Sequence, residues 1–208
     1  MHNVPQRAAP QQARAIATRQ KLLQATADSL CEVGCSGTTT TVVAERAGVS
    51  QGALFKHFGS KHQLRASTME HLFDRLFDSF RIAFAASAED EDRLSCVLRE
   101  LWAVFLTPEL YAVVELYIAA RTDEPLRLAL VPVLGQHRSN LANEARQLFP
   151  QAADHNPNFD VAVDGILSTF QGAAMSAAVL QDFSGAAAFA EFLERVCRRE
   201  LEPPYGAE

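Results

Sequence analysis

Gln51 carries a primary amide that can pair with an adenine edge, accepting from N6 and donating to N7. Thr40, Thr41, Ser50, Lys56, His57 and Lys61 flank it with hydroxyls and cations, groups that hold phosphate oxygens and fix register without reading sequence. Gly52 and Ala53 are small enough for backbone to approach a groove closely, and the Ala53 methyl can touch a thymine methyl. Arg19, some distance before them, could add a backbone contact. Each of these residues also has an ordinary reading, as a solvated glutamine at a helix start or as surface charge. His57 and His62, five apart, do not share a helical face and so make no metal pair.

The elements that would position these groups are two short helices. In TTVVAERAG, Val43, Ala44 and Ala47 form one apolar face, and Gly48 can take the left-handed conformation that closes a helix. After a turn at Val49, Ser50 can cap a second helix whose Leu54 and Phe58, four apart, face inward. Gln51, Ala53 and Lys56 are then left outward. Two helices joined by a tight Gly-containing turn, the second presenting small and polar groups, is a helix-turn-helix that fits a major groove.

Charge supports that placement. The chain has 208 residues and a net charge of −6, yet residues 1–65 hold eight Arg or Lys and three acids, while the remainder holds 11 basic and 22 acidic side chains. A basic N-terminal part on an acidic body suits a DNA binder with a separate sensing or assembly domain. The first residues have no apolar run of secretory type, so residues 1–12 read as a flexible extension and the protein as cytoplasmic. Residues 161–180 are apolar but contain Asp164 and Gln171 among Ala, Ser and Gly, which suits helix packing in water better than a membrane span. Cys31, Cys35, Cys96 and Cys197 form no CxxC pair, which argues against zinc or a disulfide framework. Cys31 and Cys35 are close enough in sequence for a redox pair, against the plainer reading of small hydrophobes.

Periodicity is helical throughout, with no strand pattern. Ile16, Leu23, Ala27 and Leu30 mark a first helix ended by Gly34, and Thr38 or Thr39 caps the next. Ser60 with Gln63 reads as a capping box opening a long helix with an apolar stripe from Leu64 to Phe84. The acids from Glu89 to Asp92 favour a helix start, Pro108 and Pro125 open two more, and Pro132 with Gly135 should bend or interrupt the latter. Residues 149–158 read as a loop with two prolines, followed by helices over about 159–182 and 186–200.

With these residues in view, TTTTVVAERAGVSQGALFKHFGSKHQL resembles the pattern of the tetracycline-repressor (TetR) family of bacterial transcriptional regulators. The resemblance covers about a third of the chain. It implies an all-α fold of about nine helices: a three-helix DNA-binding domain over 13–60, a helical effector-binding and dimerisation domain over 61–202, and a tail over 203–208. It also implies a homodimer that binds palindromic double-stranded operator DNA as a repressor and is released by a small organic effector. The sequence departs from the family pattern at Phe55, where a Tyr hydroxyl would reach a phosphate, at Val42, where an acid is common, and at Cys31 and Cys35, where aromatics are common.

In the body, Trp102, Phe105, Tyr111, Tyr117, Arg121, His137, Phe170, Gln171 and Met175 are candidates to line an effector pocket, since apolar walls with a few polar groups suit a small molecule. Phe170, Ala174, Ala177, Phe189, Phe192 and Val196, on the last two helices, are candidates for the dimer face. Nothing in the sequence arranges a nucleophile with a base, a phosphate loop or metal ligands, so neither an enzyme nor a cofactor is expected. The competing reading is an all-helical small-molecule-binding protein or enzyme without operator binding.

Overall fold

The computed structural model describes residues 8–87, 92–180 and 186–202. Among them run ten helices and no strand: α1 Ala8–Gly37, α2 Thr40–Ala47, α3 Gln51–Phe58, α4 Lys61–Ser87, α5 Arg93–Phe105, α6 Pro108–Ala120, α7 Glu124–Leu148, α8 Pro150–His155, α9 Phe159–Leu180 and α10 Ala186–Leu201. The chain divides into two units, one formed by Met1–Phe73 with Tyr111–Val133, the other by Asp74–Leu110 with Leu134–Glu208.

The first unit is organised by a single apolar cluster. Leu22, Leu23 and Ala25 from α1, Val43 and Ala44 from α2, Leu54 and Phe58 from α3 and Leu64 from α4 are all buried together, with Ala47 and Val49 against them. Each large aliphatic side chain so buried contributes roughly 1.5–3 kcal/mol, which holds the two short helices α2 and α3 that would be marginal alone. Leu23, Ala27 and Leu30 are buried as the helical period predicts, but Ile16 remains 54% exposed and Leu22 is fully buried instead. A period identifies a face without saying where along it the covering helices end.

In the second unit α9 packs against α5 and α10, and α10 also meets α8. Phe159, Val163, Ile166, Phe170 and Ala174 supply the buried side of α9, and Leu94, Cys96, Val97 and Phe105 that of α5. By length and composition α9 could cross a membrane, but its Phe159, Val163, Ile166, Phe170 and Ala174 are buried within the chain and its Asp164 pairs with Arg138.

Gly34 leaves the helical conformation at φ 69°, in keeping with its expected role as the stop of the first helix, and one further turn to Gly37 follows across the kink. Other local expectations change. Pro132 does not interrupt α7, which runs through it; Pro132 and Leu128, the carbonyl of which loses its helical donor, are both exposed, so water can satisfy that oxygen. Residues 149–158 contain a helix, α8, because Pro150 at its first position needs no N–H there. Glu89, Asp90 and Glu91 lie outside the described residues, but Asp92 caps α5 by accepting from the Leu94 N–H at 3.2 Å. The expected extension falls outside them for residues 1–7, as does the tail over 203–208.

Candidate nucleic-acid interface

Capping sets the two helices that carry the interface. Thr39 accepts from the Val42 N–H at 3.3 Å to start α2, while Thr38 instead donates its hydroxyl to the Gly34 carbonyl at 2.7 Å and is buried. Gly48 closes α2 in the left-handed conformation, φ 67° and ψ 36°, a geometry a residue with a Cβ adopts only at a cost. The Val49 N–H then returns to the Ala44 carbonyl at 3.0 Å, so the turn has no slack. Ser50 starts α3 by accepting from the Ala53 N–H at 3.2 Å. Ser60 likewise accepts from the Gln63 N–H at 3.1 Å ahead of α4.

With Leu54 and Phe58 committed to the core, the opposite side of α3 presents Gln51, Gly52, Phe55 and Lys56 to solvent. Ala53 and His57 are half-buried, the His57 ring 6.4 Å from that of Phe58. Phe55 is 42% exposed, a large apolar ring left at the surface of a small helix. Gln51 does not hang free: its Nε2 donates to the Thr41 hydroxyl at 2.6 Å, linking the first turns of α3 and α2. Val42, on the same side of α2, is exposed as well.

Beside α2 lies a cleft of about 200 Å³ lined by Thr26, Ser36, Thr38, Thr39, Thr40, Val43, Lys61, Leu64 and Arg65. Lys61 is the first residue of α4, whose opening turn holds no acid. A cation at the positive end of a helix is disfavoured by roughly 0.3–1 kcal/mol unless an anion joins it. Arg65, which sequence reasoning missed, donates to the Cys35 carbonyl at 3.0 Å and so fixes the cleft wall to the end of α1. Nothing in its spacing marks it out, since its partner is a main-chain oxygen. Arg19 is exposed but engaged within the chain: its guanidinium lies 5.3 Å from the Phe58 ring centroid and donates to the Ser67 hydroxyl at 3.3 Å. Arg46 is paired with Glu32, whose carboxyl it holds below the usual range.

In the second unit, Trp102, Phe105 and Phe170 come together with Phe189: ring centroids are 5.9 Å apart for Trp102 and Phe170, 5.6 Å for Phe105 and Phe170, and 6.2 Å for Trp102 and Phe189. Gln171 and Met175 are half-buried on α9, and His137 is half-buried on α7, where burial pushes its pKa down to about 4 and keeps the ring neutral at neutral pH. Tyr111, Tyr117 and Arg121 belong to the first unit, with Tyr111 half-buried and the other two exposed. Of the residues expected at a dimer face, Phe170 and Ala174 are buried within the single chain, which corrects their assignment. Ala177, Phe189 and Val196 are half-buried and Phe192 is 51% exposed.

Comparison with known proteins agrees with this geometry. The profile of the bacterial regulatory proteins of the tetR family matches residues 22–68, which takes in the cluster, both short helices and the start of α4. An HTH-type transcriptional regulator of Mycobacterium tuberculosis is 36% identical over 173 residues, covering 82% of this chain and 87% of that relative. The chain belongs to the TetR family. It is a helix-turn-helix transcriptional regulator that binds DNA. A second relative, the regulator BetI of Rhizobium meliloti, is 32% identical over 134 residues, 64% of this chain and 66% of BetI. Among solved structures, a TetR-family regulator from Rhodococcus sp. superposes with a TM-score of 0.72 at 19% identity, over 90% of this chain and all 100% of that one. The multidrug binding protein EbrR, complexed with imidazole, does so at 0.66 and 19% identity, over 91% of this chain and 98% of its own. These TetR likenesses establish the fold.

Proposed function

We propose that this regulator is a cytoplasmic homodimeric repressor that sets residues 51–57 of each subunit into a major groove of a short, roughly palindromic operator, and leaves DNA when a small organic effector binds its helical body. The observation that carries the reading is the outward side of α3, where Gln51, Gly52 and Lys56 stand exposed and the only large side chains are aimed at the core or, as Phe55, at the rim.

Gln51 and Ala53 are the base-reading groups; Thr40, Ser50, Lys56, His57 and Lys61 hold phosphates, with the Lys61 cleft the best prepared of these positions, while the Thr41 hydroxyl, expected at a phosphate, is given to Gln51. Arg19 is assigned to support of Phe58 ahead of any DNA contact. The aromatic cluster of Trp102, Phe105, Phe170 and Phe189 supports an effector with an apolar or aromatic body, a character in keeping with EbrR binding several drugs. The dimer face is drawn from the outer sides of α9 and α10, where Val161, Val179 and Phe192 are exposed, in place of the buried Phe170 and Ala174. An effector acts by binding the DNA-free spacing of the two recognition helices more tightly than the DNA-bound one.

Gel-shift titration with the promoter DNA upstream of its own gene tests this. Binding should fall steeply with salt and be weakened by Gln51→Ala to different degrees on different sequences; absent or salt-insensitive binding would sink the reading.

A further inference from the structure

We infer that Thr41 is a positioning residue for base readout: its hydroxyl holds the Gln51 amide in place on the outer side of the recognition helix and so sharpens discrimination at the base pair that Gln51 reads. The inference rests on the proposed placement of α3 in a major groove.

The hydroxyls near the two helix starts have separate tasks. Those of Thr39 and Ser50 accept the N–H groups of Val42 and Ala53, three residues on, and are committed to capping. Thr41, the exposed second residue of α2, accepts from Gln51 Nε2 at 2.6 Å. Both residues are exposed, so the bond forms on the surface that would meet DNA and not inside the core.

A glutamine side chain has three rotatable bonds, and its amide can exchange oxygen for nitrogen by turning over about the last of them. A free amide therefore presents donor and acceptor in either order, which lets it pair with adenine in one orientation and offer hydrogens to guanine acceptors, or its oxygen to a cytosine amino group, in others. Thr41 does not select that order, since a hydroxyl can accept from Nε2 or donate to Oε1, but it limits where the amide can swing by holding its end beside α2. One hydrogen of Nε2 is spent on Thr41, while the second hydrogen and Oε1 remain, which is the pair of groups a bidentate contact to adenine needs. The bond also anchors α3 to α2 at the first residue of the recognition helix, so the amide stays in place before DNA arrives.

A phosphate contact by the Thr41 hydroxyl would have a different signature, because phosphates are the same at every base pair. Full-length protein would be used to select duplexes from a library with a randomised core, and fluorescence anisotropy would then give affinities for the selected duplex and each single-base-pair variant. The proteins are wild type, Thr41→Val, Thr41→Ala, Thr41→Ser, Gln51→Ala and the Thr41→Val, Gln51→Ala double variant. Two hydroxyl-free variants are included so that loss of folding in one, read by thermal melting, leaves the other to decide.

Gln51→Ala should flatten discrimination at one base pair per half-site. Removal of the Thr41 hydroxyl should flatten that same base pair by roughly tenfold while leaving the other positions unchanged. Thr41→Ser should restore it, and the double variant should match Gln51→Ala alone. An equal loss on every duplex, or effects of the two residues that multiply in the double variant, would overturn the inference. If Gln51→Ala changed no base preference at all, the placement of α3 would fail first, and that arm reads it without reference to Thr41.

Discussion

The carboxylate of Glu115 on α6 accepts a hydrogen bond from the backbone N–H of Cys35, 80 residues earlier in the chain. The bond lands one residue past Gly34, where α1 kinks with φ 69°, and it ties the end of α1 to the segment Tyr111–Val133 inside the first unit. A Cβ placed on Gly34 would come within 2.6 Å of the same carboxylate. Kink, glycine and acid thus form one device.

Gly34→Ala should therefore destabilise the protein chiefly through its positive φ, and further by displacing the Glu115 carboxylate from the Cys35 N–H, at a combined cost of about 1–3 kcal/mol. Urea unfolding would show it, with a Tm lower by roughly 2–4 °C per kcal/mol. In a Glu115→Ala background the steric part disappears, so the double variant should be more stable than the sum of the single losses indicates. Strict additivity would mean that the two residues do not meet.

Asp123 gives a pH dependence. The Leu126 N–H at 3.1 Å, together with the His62 ring at 3.3 Å, holds its carboxyl below the usual aspartate range. A lowered folded-state pKa stabilises the fold above the ordinary aspartate value and the contribution is lost as pH falls through the lowered one. Asp123→Asn keeps a capping oxygen but removes the charge. Wild type should be the more stable of the two at neutral pH, and the gap measured by denaturant midpoints should close below pH ~4. A gap that persisted unchanged into acid would show that charge plays no part.

The thiols should differ in reactivity. Cys31 is exposed; Cys35 is half-buried and burial pushes its pKa up; Cys96 is buried, and burial pushes Cys197 up to about 12. A disulfide reagent should label Cys31 first, Cys35 more slowly, and Cys96 and Cys197 only on unfolding, which peptide mapping after timed quenching would read. Since burial suppresses the Cys35 thiolate, peroxide should leave DNA binding unchanged; loss of binding reversed by a thiol reductant would restore the redox pair.

Phe55 offers a gain of function. Its ring is 42% exposed on α3, where a para hydroxyl would project without repacking the core. Phe55→Tyr should raise affinity by roughly 3- to 10-fold, about 1 kcal/mol, through one more hydrogen bond to a phosphate. The gain should be equal across operator variants in anisotropy titrations; a gain confined to some sequences would place the ring against bases instead.

Much of the DNA-binding part was legible in sequence because its determinants are local. The cap at Ser50, the left-handed Gly48 and the inward pair Leu54 and Phe58 lie within a few residues of what they control, and each took its expected place. Prolines were read less well. The ring that was expected to bend or interrupt α7 at Pro132 does not interrupt it, while Pro150 begins a helix where a loop was expected. A proline's effect depends on whether the carbonyl it leaves can reach water and on its position in the turn, and neither is visible in spacing.

The sequence by itself determined an all-helical TetR-type chain with Gln51 and Lys56 on the outer side of α3, because helical period, caps and charge act between near neighbours. Tertiary structure alone decided which of those residues have partners. Arg19 turned to Phe58 and Ser67, Gln51 joined Thr41, Arg65 closed on the Cys35 carbonyl, and Phe170 and Ala174 were consumed by the core of their own unit. A side chain's partner depends on which helices cross and at what height, and that is settled by the packing of the whole cluster and not by any segment of it.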